Sequence, residues 1–283
     1  MRGFSFPSMI LDGKKLSAKI LNSVKRKVAA KKLKIGLAVI LVGDNPASVS
    51  YVRQKRLAAE KVGFTFREVN LPRSIAEKSL IAEIEKLNKD PKIQGFIVQL
   101  PLPPKIDSQK ILEKISPAKD VDGFHPLNFG RGFLNLPALL PATPAGILRL
   151  LDEYKIPLQG QNVVVVGHSN IVGKPLAMLL INRNATVSVC HVFTKNLAEF
   201  TRNADIVISA TGVPNLIRAE MLKKNCVVVD AGCAKVGEHL VGDVEFAKVQ
   251  KIARAITPVP GGVGPMTVAT LIENTYFASQ NNF

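Results

Sequence analysis

The chain has 283 residues, 47% hydrophobic and 21% charged, which can fill one large core or two of ordinary domain size. No segment approaches 18 consecutive apolar residues, so we expect no membrane-spanning helix. The formal net charge of +16 suits anionic partners, yet the densest basic cluster, residues 25–34, lacks the interleaved aromatics that stack on bases. A basic nucleic-acid-binding protein is therefore the remote alternative, and small polyanions fit the charge as well.

Three cysteines, Cys190, Cys226 and Cys233, are scattered without CxxC or metal-ligand spacing. Their odd number argues against a disulfide framework, so we expect a reducing compartment, the cytoplasm by default, and no bound metal. The first eight residues lack the apolar run of a secretory signal. We expect them to be poorly ordered, and translation to start at either Met1 or Met9.

The first half of the chain alternates apolar runs with helical patterns. Residues 34–42 are an apolar run typical of a buried strand, and a helix opened by Pro46 is predicted over residues 46–62. Tyr51 and Lys55, four residues apart, share one face of that helix. A buried lysine can act as a general acid or base beside a ring that stacks on a flat substrate, although such pairs also occur on ordinary half-exposed helices.

A βαβ pattern follows, with a strand predicted over residues 65–71, a helix over 75–87 and a strand over 93–100. This pattern is typical of a parallel sheet, which binds ligands beyond the carboxyl ends of its strands. Gln99 lies near such an end, where Pro101 cannot continue the ladder. The strand therefore stops where a polar side chain can face a ligand.

The loop after this strand carries two carboxylates, Asp120 and Asp122, on either side of a valine. In an extended loop both side chains point the same way, whereas an Asx-type turn with Gly123 is the alternative. Residues 128–144 are then rich in Gly, Asn and Pro, which places a domain boundary there. Thr143 can cap the helix that follows.

The second half begins with an apolar strand, residues 162–166, that runs into a glycine turn and an apolar helix. This order is typical of a dinucleotide site, in which backbone amides and the helix N-terminus hold a pyrophosphate. The spacing departs from GxGxxG, because Ser169 replaces the second glycine and Gly173 falls one residue late. Three further strands are predicted to complete a small parallel sheet: residues 185–190, 205–210 and 226–230. A last helix, residues 266–278, is predicted with its apolar residues on one side.

Five segments, in order along nearly the whole chain, resemble one family. They read Val-Gly-Asp-Asn-Pro-Ala-Ser at 42–48, ahead of Tyr51 and Lys55, Gly-Phe-Ile-Val-Gln-Leu-Pro-Leu-Pro at 95–103, Lys-Asp-Val-Asp-Gly-Phe at 119–124, Gly-His-Ser-Asn-Ile-Val-Gly-Lys-Pro at 167–175 and Thr-Pro-Val-Pro-Gly-Gly-Val-Gly-Pro-Met-Thr at 257–267. Together they resemble the bifunctional methylenetetrahydrofolate dehydrogenase / methenyltetrahydrofolate cyclohydrolase family.

The resemblance implies an α/β fold of two domains: an N-terminal catalytic, folate-binding domain with a parallel sheet, and a Rossmann-like dinucleotide-binding domain, with the folate cleft between them. We expect residues 1–142 and 265–283 in the first domain and 143–264 in the second. The implied activity is NADP-dependent oxidation of methylenetetrahydrofolate to methenyltetrahydrofolate and its hydrolysis to 10-formyltetrahydrofolate, in one-carbon metabolism. A monofunctional or an NAD-dependent dehydrogenase is the alternative, although both Lys55 and Gln99 are retained.

The resemblance also implies roles for individual residues. Lys55, Gln99 and Tyr51 are expected in the catalytic pocket, with Tyr51 stacking on the substrate. Asp122 is expected to bind the pterin, while Asp120 orders the loop. The substrate loop is expected to contribute Gly261, Gly262 and Pro265, and the expected dinucleotide contacts are Gly167, His168, Ser169, Gly173, His191, Lys195 and Cys233.

The choice of dinucleotide depends on residues 190–195, about twenty residues after the glycine turn, where an NAD enzyme usually has an acid for the ribose. No acid occurs there, which favours NADP, with His168, His191 or Lys195 as partners for its extra phosphate. NAD stays possible, because Val192 replaces the arginine or serine of many NADP-using relatives. The resemblance implies a homodimer, with a folate as substrate and no membrane partner.

Overall fold

The computed structural model of the chain describes residues 8–280, which form two compact units. The six-stranded unit comprises the residues through Ser17 together with Thr143–Thr267, and the three-stranded unit comprises Ala18–Ala142 and the residues from Val268 onward. The first eight residues were expected to be poorly ordered. Of these, only Ser8 lies within the described range.

Strands and helices alternate along most of the chain, as the hydrophobic pattern predicts. The first elements are β1 (Met9–Ile10), α1 (Gly13–Ala30), β2 (Gly36–Val42), α2 (Pro46–Val62), β3 (Thr65–Leu71), α3 (Glu77–Lys89), β4 (Gly95–Val98), α4 (Ser108–Leu112), α5 (Pro126–Phe133) and α6 (Ala142–Glu153). They are followed by β5 (Asn162–Val166), α7 (Gly173–Ile181), β6 (Thr186–Cys190), α8 (Leu197–Thr201), β7 (Ile206–Ser209), β8 (Val227–Asp230), β9 (Ala234–Val236), β10 (His239–Val241), α9 (Phe246–Val249), β11 (Ala255–Ile256) and α10 (Val263–Ala278).

The three-stranded sheet has the order β3-β2-β4, with all strands parallel. Every residue of the central strand β2 is buried, which explains its uninterrupted apolar sequence. Helix α2 begins where the Asn45 side chain accepts hydrogen bonds from the backbone N–H groups of Ala47 and Ser48, and it ends at Gly63, whose φ of 89° is left-handed. These two caps fix the helix that carries Lys55.

The six-stranded sheet has the order β1-β11-β8-β7-β5-β6, again with every strand parallel. Strands β5, β7 and β8 place valine and isoleucine side chains in its buried core. Strands β5 to β8 confirm the predicted sheet to within a residue or two at each end. The sequence did not predict the exposed antiparallel hairpin β9–β10, nor the two-residue strand β1, which pairs Met9 with Ala255.

One segment groups differently from the expected domain bounds. The described residues 8–17 were expected in the N-terminal domain, but they belong to the six-stranded unit, because β1 pairs with β11. The two strands form only a two-residue ladder, with Met9 opposite Ala255 and Ile10 opposite Ile256. So short an element leaves almost no periodic signal in a sequence.

Two helix starts also differ from expectation. Helix α6 begins at Ala142, so Thr143 lies within its first turn and does not cap it; the Thr143 hydroxyl instead lies 2.9 Å from that of Thr267. Helix α10 begins at Val263, ahead of the expected start at Met266. Residues 268–276 of α10 are all buried, so this helix has no single apolar face.

Candidate active site

Lys55 and Gln99 meet in the three-stranded unit, because α2 and the end of β4 bring them together. The Lys55 Nζ donates a hydrogen bond of 3.0 Å to Gln99 Oε1, and Gln99 Nε2 donates one of 2.8 Å to the backbone oxygen of Leu100. Since its amide is held at both ends, Gln99 presents a fixed acceptor to the lysine. Tyr51 lies one helical turn before Lys55 and is 38% exposed.

The environment of Lys55 is unusual for an ammonium group, since the residue is only 7% exposed. Burial lowers the pKa of Lys55, because the charged form loses its water, and the Asp122 carboxylate opposes this shift. Burial also raises the pKa of Asp122, and here Lys55 acts in the opposite direction. Both burial effects move the pKa values toward neutrality, which suits groups that exchange protons.

The Asp122 side chain is open to a ligand. Among residues 8–280, no hydrogen bond ends on its carboxylate, so both oxygens are available to external donors. Its backbone is well held, because its carbonyl oxygen accepts a hydrogen bond of 3.2 Å from the backbone N–H of Ala142. Gly123 makes a turn with a φ of 75°, donating its N–H to the backbone oxygen of Asp120 rather than to a side chain.

Asp120 has a different environment from Asp122. It is 1% exposed, and its Oδ2 accepts hydrogen bonds from the backbone N–H of His125 at 2.8 Å and from Asn128 Nδ2 at 3.0 Å. A carboxylate that accepts two internal hydrogen bonds orders the chain around it. This geometry agrees with the expected role of Asp120 in the loop.

Asn274 on α10 was not predicted as part of the site. Its side-chain Nδ2 donates hydrogen bonds of 2.9 Å to the backbone oxygens of both Val121 and Leu140. The first carbonyl lies in the loop that contains Asp122, and the second in the segment that packs on Gly123, where a Cβ would be 2.5 Å from the backbone carbon of Leu140. Asn274 thus holds the loop that carries Asp122, and nothing in the local sequence around it indicated this contact.

The glycine turn lies at the carboxyl end of β5, in the six-stranded unit. Gly167 has a φ of 111°, and a Cβ on it would lie 2.5 Å from the backbone oxygen of Ala210. A Cβ on Gly173, at the start of α7, would lie 2.0 Å from the backbone oxygen of Gly167. The Ser169 hydroxyl accepts a hydrogen bond of 3.1 Å from the backbone N–H of Val172. The result is a compact turn at a helix N-terminus, as pyrophosphate binding requires.

His168 and His191 also meet at this end of the sheet, with ring centroids 4.6 Å apart. The backbone N–H of Phe193 donates a hydrogen bond of 3.2 Å to His191 Nδ1. Val192 is 86% exposed and Lys195 is exposed as well. The loop after β6 therefore presents imidazole and ammonium groups beside the glycine turn, and no carboxylate of its own.

The remaining predicted residues lie after β8 and around the start of α10, in the six-stranded unit. Cys233, just after β8, is an exposed free thiol. Gly261 has a φ of 114°, and its backbone oxygen accepts a hydrogen bond of 2.9 Å from the N–H of Lys14. Gly262 is buried, and Pro265 lies in the first turn of α10. This loop presents backbone rather than bulky side chains.

Neither a metal site nor a membrane segment is found over residues 8–280. No three His, Cys, Asp or Glu side chains there are grouped so that they could hold a metal ion. None of the helices in that range combines the length and the apolar character needed to cross a bilayer.

Two family models match the chain. The catalytic domain of tetrahydrofolate dehydrogenase/cyclohydrolase matches residues 11–122, and the NAD(P)-binding domain of the same family matches residues 141–283. The bifunctional protein FolD of a Nitratiruptor species is 54% identical over 275 residues, which cover 96% of this chain and 98% of the relative.

Solved structures agree with the sequence matches. The bifunctional FolD methylenetetrahydrofolate dehydrogenase/cyclohydrolase from Campylobacter jejuni is 48% identical, with a TM-score of 0.94 over 98% of this chain and all of the other. The methylenetetrahydrofolate dehydrogenase-cyclohydrolase of Trypanosoma brucei, in complex with NADP and an inhibitor, is 37% identical, with a TM-score of 0.94 over 97% and 98% of the two chains.

The fold and the matched domains define an α/β enzyme with a catalytic domain and an NAD(P)-binding domain. The chain belongs to the tetrahydrofolate dehydrogenase/cyclohydrolase family. The predictions of this family, of the two-domain α/β fold and of an enzyme with dehydrogenase and cyclohydrolase activities are thereby confirmed.

Proposed function

We propose that this chain oxidises methylenetetrahydrofolate to methenyltetrahydrofolate with NADP, and then hydrolyses the methenyl group to give 10-formyltetrahydrofolate. The observation that carries the proposal is the cluster of Lys55, Gln99 and Asp122 in the three-stranded unit. A monofunctional dehydrogenase has no need of a buried proton carrier, because hydride transfer to the cofactor moves no proton.

Lys55 carries the hydrolysis. Water adds to the methenyl carbon, and the bond from that carbon to N5 breaks, so the formyl group stays on N10. Neutral Lys55 takes one proton from the attacking water, and the ammonium so formed returns a proton to N5 as the ring opens. The second water proton leaves to solvent as the formyl carbonyl forms. Gln99 aims the amine, since its Oε1 accepts a hydrogen bond from Lys55.

Asp122 and Tyr51 hold the folate. A carboxylate with two available oxygens can accept two parallel hydrogen bonds from the amino group and ring nitrogen of a pterin. The Tyr51 ring, on the exposed part of α2, stacks on the flat ring system. Lys55, one turn further along the same helix, then faces the carbon between N5 and N10.

For the oxidation, NADP supplies the hydride acceptor when it is bound, and the chain supplies orientation. The turn that contains Gly167, Ser169 and Gly173 receives the pyrophosphate at the N-terminus of α7. The loop with Gly261, Gly262 and Pro265 and the thiol of Cys233 lie in the same six-stranded unit as this turn and are the further groups that we assign to ligand binding. These glycines let the backbone approach a ligand closely.

Three observations support NADP over NAD. The loop after β6 carries His191 and Lys195 but no acid, and the His168 ring lies next to that of His191, tilted by 39°. These groups can donate to the extra phosphate, whereas an acid would repel it. The Trypanosoma brucei relative was solved with NADP. A homodimer in the cytoplasm completes the proposal, supported by the family resemblance and by three free cysteines.

The test is methenyltetrahydrofolate formation from methylenetetrahydrofolate, followed by absorbance and run in parallel with NADP and with NAD. We expect turnover with NADP. Turnover with NAD alone would contradict the cofactor choice and make Val192 the informative difference. If folded protein shows no turnover with either cofactor, the proposed dehydrogenase activity is contradicted. An assay of methenyltetrahydrofolate hydrolysis would then measure the second activity by itself.

A further inference from the structure

Two buried carboxylates, Asp230 and Asp243, interlock below the carboxyl ends of β7 and β8. A Cβ on Gly232 would lie 1.9 Å from Asp243 Oδ1, and a Cβ on Gly242 would lie 2.0 Å from Asp230 Oδ2. Asp243 therefore fills the space that a side chain would need at Gly232, close in sequence to Asp230. In the same way, Asp230 fills the space that a side chain would need at Gly242, which precedes Asp243. Asp230 and Asp243 are 4% and 1% exposed, so ligands cannot reach them directly.

Asp243 holds the turn that follows β7. Its Oδ2 accepts hydrogen bonds of 2.8 Å from Ser209 Oγ, 2.7 Å from the backbone N–H of Thr211 and 2.8 Å from Thr211 Oγ1. Its other oxygen, Oδ1, is buried without a hydrogen-bond partner among the described residues and lies against Gly232. One carboxylate thus connects the turn after β7 to the turn after β8.

Asp230 holds the second turn through backbone groups. Its Oδ1 accepts hydrogen bonds of 2.9 Å from the N–H of Gly232 and 3.0 Å from the N–H of Asp243, and its Oδ2 accepts one of 2.9 Å from the N–H of Val244. Its own N–H donates at 2.7 Å to Thr257 Oγ1, at the start of the glycine- and proline-rich loop. Three loops at the carboxyl side of the sheet therefore meet at this pair.

Burying two carboxylates side by side is costly, so the arrangement requires compensation. Burial raises the pKa of Asp230 to about 6, against the opposing effect of the backbone hydrogen bonds from Val244 and Asp243. Six hydrogen bonds to the two side chains offset this cost only while the loops keep their present positions. A core without function here would be filled more cheaply by apolar side chains.

We propose that Asp230 and Asp243 are positioning residues for the dinucleotide, which fix the turns after β7 and β8 in the conformation that binds the cofactor. Ligands of parallel α/β sheets bind at the carboxyl ends of the strands, and these two turns form that edge next to the glycine turn after β5. The inference rests on the proposed NADP site. It adds two residues that never touch the ligand but determine how well it binds.

The test compares variants in NADP affinity, by calorimetric titration, and in hydrolysis of methenyltetrahydrofolate, which needs no dinucleotide. Asp243→Ala should weaken NADP binding about tenfold, because three hydrogen bonds to a charged group are lost. Asp243→Asn keeps one acceptor oxygen at the same place and should restore most of the affinity. Ser209→Ala, which removes one buried donor, should weaken binding about threefold.

The matched control is Asp205→Asn. Asp205 directly precedes β7, at the amino end of that strand and away from the turns that follow β7 and β8. Its carboxylate is paired with Lys223, so NADP affinity should be unchanged in Asp205→Asn. Unaltered NADP affinity in folded Asp243→Ala would overturn the inference. It would also be overturned if hydrolysis fell in Asp243→Ala and in Ser209→Ala by as much as NADP affinity did. If the unaltered protein binds neither NADP nor NAD, the proposed function fails, and this inference fails with it.

Discussion

Asn274 and Val121 are joined by a hydrogen bond of 2.9 Å, from the side-chain amide of the C-terminal helix to the backbone oxygen beside Asp122. The same nitrogen donates at 2.9 Å to the backbone oxygen of Leu140. One buried amide thus holds both the loop that carries Asp122 and the segment that packs on Gly123. The position of Asp122, the proposed pterin anchor, therefore depends on a residue more than one hundred positions away in the sequence.

Replacing Asn274 tests this dependence. Asn274→Leu should raise the KM for the folate about tenfold, because the Asp122 loop loses both hydrogen bonds that hold it. Two unpaired carbonyls should also lower the free energy of unfolding by about 2 kcal/mol or more. Steady-state kinetics, NADP titration and thermal unfolding measure these effects, and NADP affinity should stay constant.

Thr270→Val is the matched control on the same helix. The Thr270 hydroxyl is buried without a hydrogen-bond partner among the described residues, so its loss should leave both kinetics and stability intact. If folded Asn274→Leu kept the KM of the unaltered enzyme, the amide would be structural only.

Lys55→Met should lower the rate of methenyltetrahydrofolate hydrolysis about a hundredfold or more, because general acid–base catalysis contributes at least that much. Folate binding should be largely kept, since methionine fills a similar volume on α2. Absorbance decay of methenyltetrahydrofolate measures the rate, with Lys61→Met, an exposed lysine of the same helix, as the control. An unchanged rate of hydrolysis in Lys55→Met would contradict the role of Lys55 as the general acid and base.

Asp122→Ala should raise the KM for the folate, because the pterin loses its two acceptor oxygens, while NADP affinity stays the same. We expect an increase of about tenfold to a hundredfold, the cost of a lost charge-assisted pair of hydrogen bonds. Initial rates at varied folate concentration measure it. An unaltered KM would show that the pterin binds elsewhere.

The protonation of Lys55 should respond to Asp122. Burial lowers the pKa of Lys55 and the Asp122 carboxylate raises it, so Asp122→Asn removes the raising contribution. The pKa of Lys55 should therefore fall further in Asp122→Asn, and the neutral amine should appear at lower pH. Nuclear magnetic resonance of the labelled lysine Cε and Nζ atoms across pH follows this directly. A pKa that rises or stays constant would contradict the electrostatic coupling.

Gly173→Ala should weaken NADP binding without changing hydrolysis. The new Cβ would lie 2.0 Å from the backbone oxygen of Gly167, so the turn after β5 must move. We expect a loss of about 1–3 kcal/mol of stability from overpacking. Gly130→Ala is the control, because a Cβ there meets nothing within 4 Å. Unchanged NADP titration in Gly173→Ala would mean that the turn does not bind the pyrophosphate.

The sequence predicted the elements whose signals are local. Helix α2 begins and ends as predicted, at Pro46 and Val62, because a proline opens it and Gly63 provides a left-handed cap. The buried strands β2 and β5 are continuous apolar runs, which are typical of strands covered on both faces. Lys55 and Gln99 were placed together through the family resemblance, and their hydrogen bond agrees with it.

Contacts between distant segments could not be predicted. The hydrogen bonds of Asn274 and the interlock of Asp230 with Asp243 depend on where unrelated loops meet, and neither leaves a periodic or spaced motif. Helix α10 was predicted with one apolar face, but residues 268–276 are buried all around the helix, and polar residues such as Asn274 are among them. Burial of this kind is set by tertiary structure and not by helix periodicity.

The pairing of β1 with β11 determines when the six-stranded sheet can be completed. Met9 leaves the ribosome early, but its partner Ala255 is made only near the end of synthesis. Until then the three-stranded unit has all of its strands, whereas the larger sheet lacks two of its six. Because closing so long a loop costs entropy before the pairing repays it, these two strands join last. Completion of the larger sheet is therefore expected to wait for residues 255–256, and the α10 residues from Val268 onward join the three-stranded unit later still.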